Sequence, residues 1–261
     1  MSSVLGIDIS ANQAHPIEFQ QLYAAGVRAI YVKATEGLGY VNPDFEGDAQ
    51  EAAIAGCKVG AYHFARPAES DAASQAQAFV AATAPVRGAL TLPDTLDLED
   101  QGGLGWGTLA AWAQAWLGPP LPPRMIYLSG WFRQSLPGVP WGHHLWLAAP
   151  GAPQVIPAGC SAVQFSWTGT LPGIPGGVED LDRFDASLLG PPQEDAVPDL
   201  IVDYEGGAWL VRADFSCRTG LSSAADRDVA IVAGAATGHA LTPAQMHRIP
   251  VAGRGLEPVK K

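Results

Sequence analysis

Through its first 130 residues the chain alternates short apolar, β-branched runs with stretches of helical spacing, and this alternation restricts the fold more than any other feature. Residues 4–9 read as a strand and 16–25 as a helix stopped by Gly26. Strands at 28–34, 59–65, 89–98 and 124–129 follow, with helices at 42–56, 70–83 and 108–117 between them. Asn42 before Pro43 suits a helix start, and Gly56 a stop. After that, 144–149, 162–167 and 181–184 read as three more short strands joined by Gly/Pro loops. Strand–helix alternation implies parallel neighbours with right-handed crossovers. Eight strands in about 185 residues suggest a closed barrel of five βα units and three plain closing strands, within the usual single-domain range. A doubly wound open sheet gives the same early alternation.

Residues 190–199 (GPPQEDAVPD) have linker composition. Beyond them, 200–204 and 208–215 flank Glu205-Gly206-Gly207 as a β-hairpin, and helices are expected from Ser223 and from Thr242-Pro243. The predicted organisation is a domain at 1–189, a linker at 190–199 and a small α+β domain at 200–261. Charge is divided the same way. Residues 1–195 carry 19 acidic and 8 basic side chains, whereas 196–261 carry seven of each. An acidic main domain with no basic stripe argues against a nucleic-acid partner, because phosphate contacts need clustered Lys and Arg. Cys57, Cys160 and Cys217 lack metal-ligand or CxxC spacing and read as free thiols. His143 and His144 also lack metal spacing, so no metal or other cofactor is expected. The uncharged stretches at 101–123 and 134–178 are cut by Gly and Pro, so no membrane partner is expected. The N-terminus lacks the basic start of a secretory signal, and the expectation is a protein made without one.

In α/β sheets and barrels, chemistry gathers where the loops after the strands converge. Asp8 ends the first strand, Glu36 follows the second, His63 and Arg66 close the third, and Asp97, Glu99 and Asp100 close the fourth. Gln164 and Trp167 lie on the seventh, and Asp180 and Asp182 surround the start of the last. Carboxylates from four strand ends therefore share one rim. Within Asp97-Leu98-Glu99, residues i and i+2 of a strand point the same way, roughly 6–7 Å apart. Two such carboxyls against an apolar wall cannot both ionise freely, so one keeps its proton while the other stays charged. Glycoside hydrolysis uses that division between an acid for the leaving oxygen and an anion facing the developing cation. The plain alternative is a pair of solvated loop acids, and for Asp8 a strand-end acid capping the next helix. Tyr62, Trp146 and Trp167 are either core packing or rings for sugars to stack on.

These residues fall into ordered motifs: Gly6-Ile7-Asp8-Ile9-Ser10, Tyr31-Val32-Lys33-Ala34-Thr35-Glu36-Gly37, Gly60-Ala61-Tyr62-His63-Phe64-Ala65, Leu96-Asp97-Leu98-Glu99, Gln164-Phe165-Ser166-Trp167 and Glu179-Asp180-Leu181-Asp182-Arg183-Phe184. Together, over about residues 4–188, they resemble glycoside hydrolase family 25, the Chalaropsis-type lysozymes. The resemblance implies a (β/α)5β3 TIM-like barrel and cleavage of the β-1,4 bond between N-acetylmuramic acid and N-acetylglucosamine, with bacterial peptidoglycan as the partner. It makes Glu99 the general acid. Asp97 stabilises the oxocarbenium-like centre or orients the substrate acetamido group, and Asp8 and Asp180 complete the acidic floor. Tyr62, Lys33, Glu36, Arg66, Trp146 and Gln164 are expected to line the groove, with Tyr127, Trp167 and Asp182 as further substrate contacts. The family usually closes with V-D-L-N. Glu179 and Asp182 stand where Val and Asn are usual, so Asp182 competes with Asp180 for the role of fourth acid. Phe165 replaces the Tyr of the family's Q-Y-S.

A substrate-assisted chitinase of the D-x-x-D-x-D-x-E type needs Asp at 95 and 92, where Thr95 and Leu92 stand. The rival from another class is a carbohydrate-binding, inactive barrel. For residues 200–261 the expectation is a module that tethers the enzyme to a wall polymer and raises its local concentration. The alternative is a stabilising or dimerising appendage. A wall substrate without an export signal suggests a phage-type lysin that waits in the host cytoplasm until it is released to the wall.

Overall fold

Val4 to Ile9 alternate two sets of neighbours, one polar at its end and one wholly apolar, and the structure, a computed structural model, shows why. It describes residues 2–118, 123–176 and 179–190, together with strand backbones at 200–204, 207–211, 218–221 and 236–237. The chain divides into two compact units, Met1–Pro191 and Pro192–Lys261. In the first, strands β1 (Ser3–Ile9), β2 (Val27–Glu36), β4 (Lys58–Phe64), β5 (Thr95–Asp97), β6 (Met125–Ser129), β7 (His144–Ala148), β8 (Ala162–Gly169) and β9 (Glu179–Asp185) form a closed eight-stranded ring. Neighbours from β1 to β8 run parallel, and β9 closes the ring antiparallel to both β8 and β1. A two-residue strand β3 (Tyr40–Val41) folds back on the end of β2.

Helices α1 (Phe19–Ala24), α2 (Phe45–Ile54), α3 (Ala72–Thr83), α4 (Trp106–Leu117) and α5 (Gly130–Ser135) follow the first five ring strands. The Asp71 carboxylate caps α3 by accepting from Ser74 N–H at 2.9 Å, filling one of the donors that a helix start leaves open. Outward residues such as Ile7, Ile30, Val32, Val59, Leu96, Leu128 and Leu147 pack beneath these helices as the main core. Inward residues fill the ring itself: Tyr31, Met125, Tyr127, Trp146 and Phe184 form a second apolar cluster. Gly60 is required there, since a Cβ on it would lie 2.1 Å from the Tyr31 ring. A strand with both faces buried reads as a near-continuous apolar run. In β1, β2 and β5 the acidic or basic side chains Asp8, Lys33 and Asp97 interrupt that run at inward positions near the open end.

Three expectations need correction. The fourth predicted strand, 89–98, is a ladder only at Thr95–Asp97, with a single bridge from Leu90 to Val59. Pro93 has no N–H to give a ladder, and a 3-10 turn at Ala84–Val86 and a turn at 87–89 precede it, with Leu92 N–H bonding Val59 C=O at 2.9 Å. The helix after Pro43 begins at Phe45; Asn42 instead ties its side-chain amide to Lys33 C=O at 2.8 Å. Helix α5, the fifth that five βα units imply, had no residue range assigned, being too short for periodicity to reveal. In the second unit, β10 (Leu200–Tyr204) pairs antiparallel with β11 (Gly207–Val211), which pairs with β12 (Arg218–Leu221), while β13 (Ala236–Thr237) lies parallel to β10. The linker expected at 190–199, apart from Gly190, and the helices expected from Ser223 and Thr242 lie outside the described residues. Among the described residues, no helix is long and apolar enough to cross a membrane.

Candidate active site

Side chains alternate along a strand, so the inward set of β1 is Val4, Gly6 and Asp8, and that of β9 is Phe184, Asp182 and Asp180. Each set turns from apolar to acidic towards the end of the ring where the βα loops gather. The same step brings Lys33 on β2, Tyr62 on β4, Asp97 on β5, Tyr127 on β6 and Gln164 on β8 to one open cavity, which Glu99, Asp180 and Trp146 also line. All four predicted catalytic acids are in it. Ser10, Asn12 and Gln13 from the β1–α1 loop, Phe64 and Thr95 complete the wall. They were missed, although Ser10 to Gln13 follow the same strand end as Asp8 and Thr95 stands two before Asp97.

The floor is a hydrogen-bonded chain. The Gln164 carbonyl oxygen accepts from Tyr127 O–H at 2.8 Å and from Trp167 Nε1–H at 2.6 Å. That fixes its amide, whose N–H2 donates to Asp8 at 2.9 Å. Asp182 is fully buried below and accepts from Trp146 Nε1–H at 3.0 Å. It does not line the cavity, so direct substrate contact by Asp182 is corrected to support from beneath. Register explains the difference: Asp180 pairs with Asp8, whereas Asp182 pairs with Gly6, one layer deeper. Glu36 and Arg66 also stand behind the cavity wall. Glu36 accepts from Lys33 Nζ and from Arg66 Nε (2.8 Å), and Arg66 reaches on to Asp100 at 3.2 Å. This chain spans the ends of β2, β4 and β5 and holds the loop that carries Glu99. Trp167 lies outside the cavity lining, exposed, with its indole N–H on Gln164. His63 points outward under α3, with its ring nitrogens 2.8 Å from Thr35 Oγ1 and Gln75 Oε1.

Five carboxyls so close, and so dry, cannot all ionise. Burial and then the Asp180 charge push Asp8 up to about 8, against bonds from Gln164 and Asp182. Burial, then the Glu99 and Asp8 charges, raise Asp97 well above the usual carboxylate range. Glu99 is raised by partial exclusion of water and then by Asp180, while a bond from Asp97 and the Lys33 charge act the other way. Asp97 is buried and Glu99 opens to solvent, so in the free site the pair keeps its proton on the deeper Asp97. Burial likewise raises Asp180, Tyr62 and Tyr127, leaving both phenols neutral donors. For Glu36 burial acts upward, but hydrogen bonds from Lys33 and Arg66 outweigh it and hold the carboxyl below its usual range. The arrangement is an acidic cleft with a pair of carboxyls both held above their ordinary range, aromatic walls and, among the described residues, the Lys33 cation. It can protonate a leaving oxygen and stabilise positive charge beside it.

A profile of glycosyl hydrolases family 25 matches residues 7–174. The N,O-diacetylmuramidase of Chalaropsis sp is 40% identical over 121 residues, 44% of this chain and 57% of that protein's length. Lysozyme M1 of Streptomyces globisporus is 30% identical over 206 residues, covering 71% of this chain and 69% of that one. Among solved structures, the bacterial lysozyme from Streptomyces coelicolor superposes with a TM-score of 0.63 at 28% identity, over 72% of this chain and 96% of its own.

Proposed function

The chain belongs to glycosyl hydrolases family 25, and from its cleft we propose that it hydrolyses the β-1,4 bond between N-acetylmuramic acid and N-acetylglucosamine in bacterial peptidoglycan. The observation that carries this reading is the Asp97–Glu99 pair, two carboxyls from one strand end in an acidic, aromatic-walled cavity, where burial and neighbouring carboxylates push both above their ordinary range. On this reading the eight-stranded ring is the (β/α)5β3 variant of the barrel.

A sugar ring lying over Glu99 removes the water that favours its charge, and the shared proton moves outward from Asp97. Glu99 then protonates the glycosidic oxygen as the C–O bond breaks. Asp97, now anionic, faces the oxocarbenium-like carbon or holds the N–H of the muramic 2-acetamido group; water then adds its oxygen to that carbon and returns a proton to the carboxyl pair, which restores the acid. Asp8 and Asp180 keep the floor acidic, and Gln164 fixes Asp8. Lys33 sets the proton affinity of the pair, and Glu36 and Arg66 fix Lys33 and the Glu99 loop. Tyr62 and Tyr127 present rings and hydroxyls to the sugar, with Trp146 in the wall behind Tyr127. Residues 200–261 tether the enzyme to a wall polymer, so the place of action is the cell wall.

The test is digestion of purified peptidoglycan followed by reduction and mass spectrometry of the new sugar ends. Reduced muramic acid ends from the wild type, absent with Glu99→Gln, are the expected result. Glucosamine ends overturn the bond assignment, and no cleavage on several wall types favours a carbohydrate-binding barrel without activity.

A further inference from the structure

Trp131 is a large apolar side chain left 60% exposed, and its place in the fold is specific. It is the second residue of α5, which starts where β6 ends, so it stands at the open end of the ring. Trp106 is the first residue of α4 and follows the loop that leaves β5 with Glu99 and Asp100, which brings it to the same rim. The two indoles meet edge to face, with centroids 5.0 Å apart and planes at 88°. Phe132, buried in the core, braces both at 5.4 Å and 5.3 Å. An indole presented to water on a core-anchored base loses little freedom on binding, and its flat face suits the C–H face of a pyranose.

The rim position says which ligand. The cavity runs from Ser10, Asn12 and Gln13 at the end of β1 to Glu99 and Tyr127 at the ends of β5 and β6. In the ring order, β6 stands opposite β1. A glycan strand entering over the β1 loop and crossing Glu99 leaves between the ends of β5 and β6, where Trp106 and Trp131 stand. Resting on the muramidase reading above, we propose that Trp131, buttressed by Trp106, is an additional subsite for one more hexosamine ring of the glycan strand, beyond the two sugars whose bond is cut.

The experiment compares kcat/KM of the wild type, Trp131→Ala and Trp131→Tyr on two substrates: long peptide-free glycan strands and the shortest oligosaccharide the wild type cleaves. Trp131→Ala is expected to lose about tenfold on long strands, mostly in KM, as befits one lost stacking contact. It should match the wild type on the short substrate, with Trp131→Tyr restoring most of the loss. Circular dichroism melting checks that the variants are folded. Equal activity on both lengths, or equal loss on both, overturns the subsite while leaving the muramidase reading intact. A change in self-association by sedimentation velocity, with no length dependence, assigns the face to a second copy of the chain and also overturns it. No cleavage of either substrate by the wild type overturns the muramidase reading and the subsite with it.

Discussion

Trp146 donates its indole N–H to Asp182 at 3.0 Å, and neither residue has meaningful contact with solvent. The other Asp182 oxygen meets no N–H or hydroxyl; it faces Asp8. Around it stand Asp8 and Asp180, Gln164, Trp146 and the Tyr31 and Tyr127 phenols, with no cation among the described residues. Burial and then the Asp8 charge raise the group well above the carboxylate range, which favours a neutral acid whose free oxygen faces Asp8. An amide has the same donor and acceptor in the same shape. Asp182→Asn is therefore expected to stay within a few-fold of wild-type kcat/KM. Asp182→Leu leaves the Trp146 N–H without an acceptor, at a cost of about 1–3 kcal/mol in urea unfolding. Asn behaving as badly as Leu in the activity assay means that the carboxyl itself is needed.

Lys33 is the cation whose charge lowers both Asp97 and Glu99. Its removal makes the shared proton harder to lose. The active form carries that proton, so the alkaline limb of kcat/KM moves to higher pH in Lys33→Met, and the acid limb moves with it. A pH profile on soluble glycan measures this directly. An unmoved alkaline limb shows that it reports some group other than the pair.

How far the fold and the site were legible depends on which residues carry the signal. Strands β1, β2 and β4 were readable because each carries a central run of apolar or small residues, Val4–Ile7, Ala29–Val32 and Val59–Tyr62, with most of the polar side chains near the ends. The strand at 89–98 was overread: Leu90 and Leu92 are apolar and buried or nearly so, but Pro93 denies them a ladder. The strand-end rule found Asp8, Asp97, Glu99 and Asp180 because chemistry and topology coincide there. Alternation put Asp180 and Asp182 on the same inner face and said nothing of depth. Depth comes from the pairing of β9 with β1, a long-range register that no local pattern encodes. His63 sits near the rim in sequence yet points outward, because its neighbours Tyr62 and Phe64 take the inward positions.

Asp8 links the chemistry of the site to the stability of the fold. Its carboxyl sits at about 8 in the folded chain, against an ordinary 3.8. Between those values the folded state binds more protons than the unfolded one, so this group's contribution to stability falls as pH rises through the window. Asp8→Asn removes that dependence. The variant should be more stable than the wild type at pH near 8, by up to a few kcal/mol, with the advantage vanishing as pH falls towards the ordinary value. Activity should be lost. Urea midpoints at several pH values measure it, and a gap independent of pH sinks the assignment.

His63 works in the opposite direction. Burial holds its imidazole down to about 4, although a bond to Gln75 acts upward. The ring stacks on Trp116 at 5.5 Å between Thr35 and Gln75, and Gln75 Oε1 also accepts from Arg66 N–H at 3.2 Å. The neutral tautomer with hydrogen on Nε2 satisfies every partner: Nε2–H donates to Gln75 and Nδ1 accepts from Thr35. Below its ordinary value of 6.5 the unfolded chain takes up a proton that the folded one refuses until about 4. Stability from this group is therefore complete above that ordinary value and is lost as pH falls through the window. His63→Gln keeps polar atoms at the site without a titrating ring. It should be less stable than the wild type at neutral pH, from poorer packing on Trp116, and the deficit should narrow as pH drops towards 4. Thermal melts of both proteins across that range decide it. A deficit that stays constant with pH means that His63 gains its proton in the folded chain as easily as in the unfolded one.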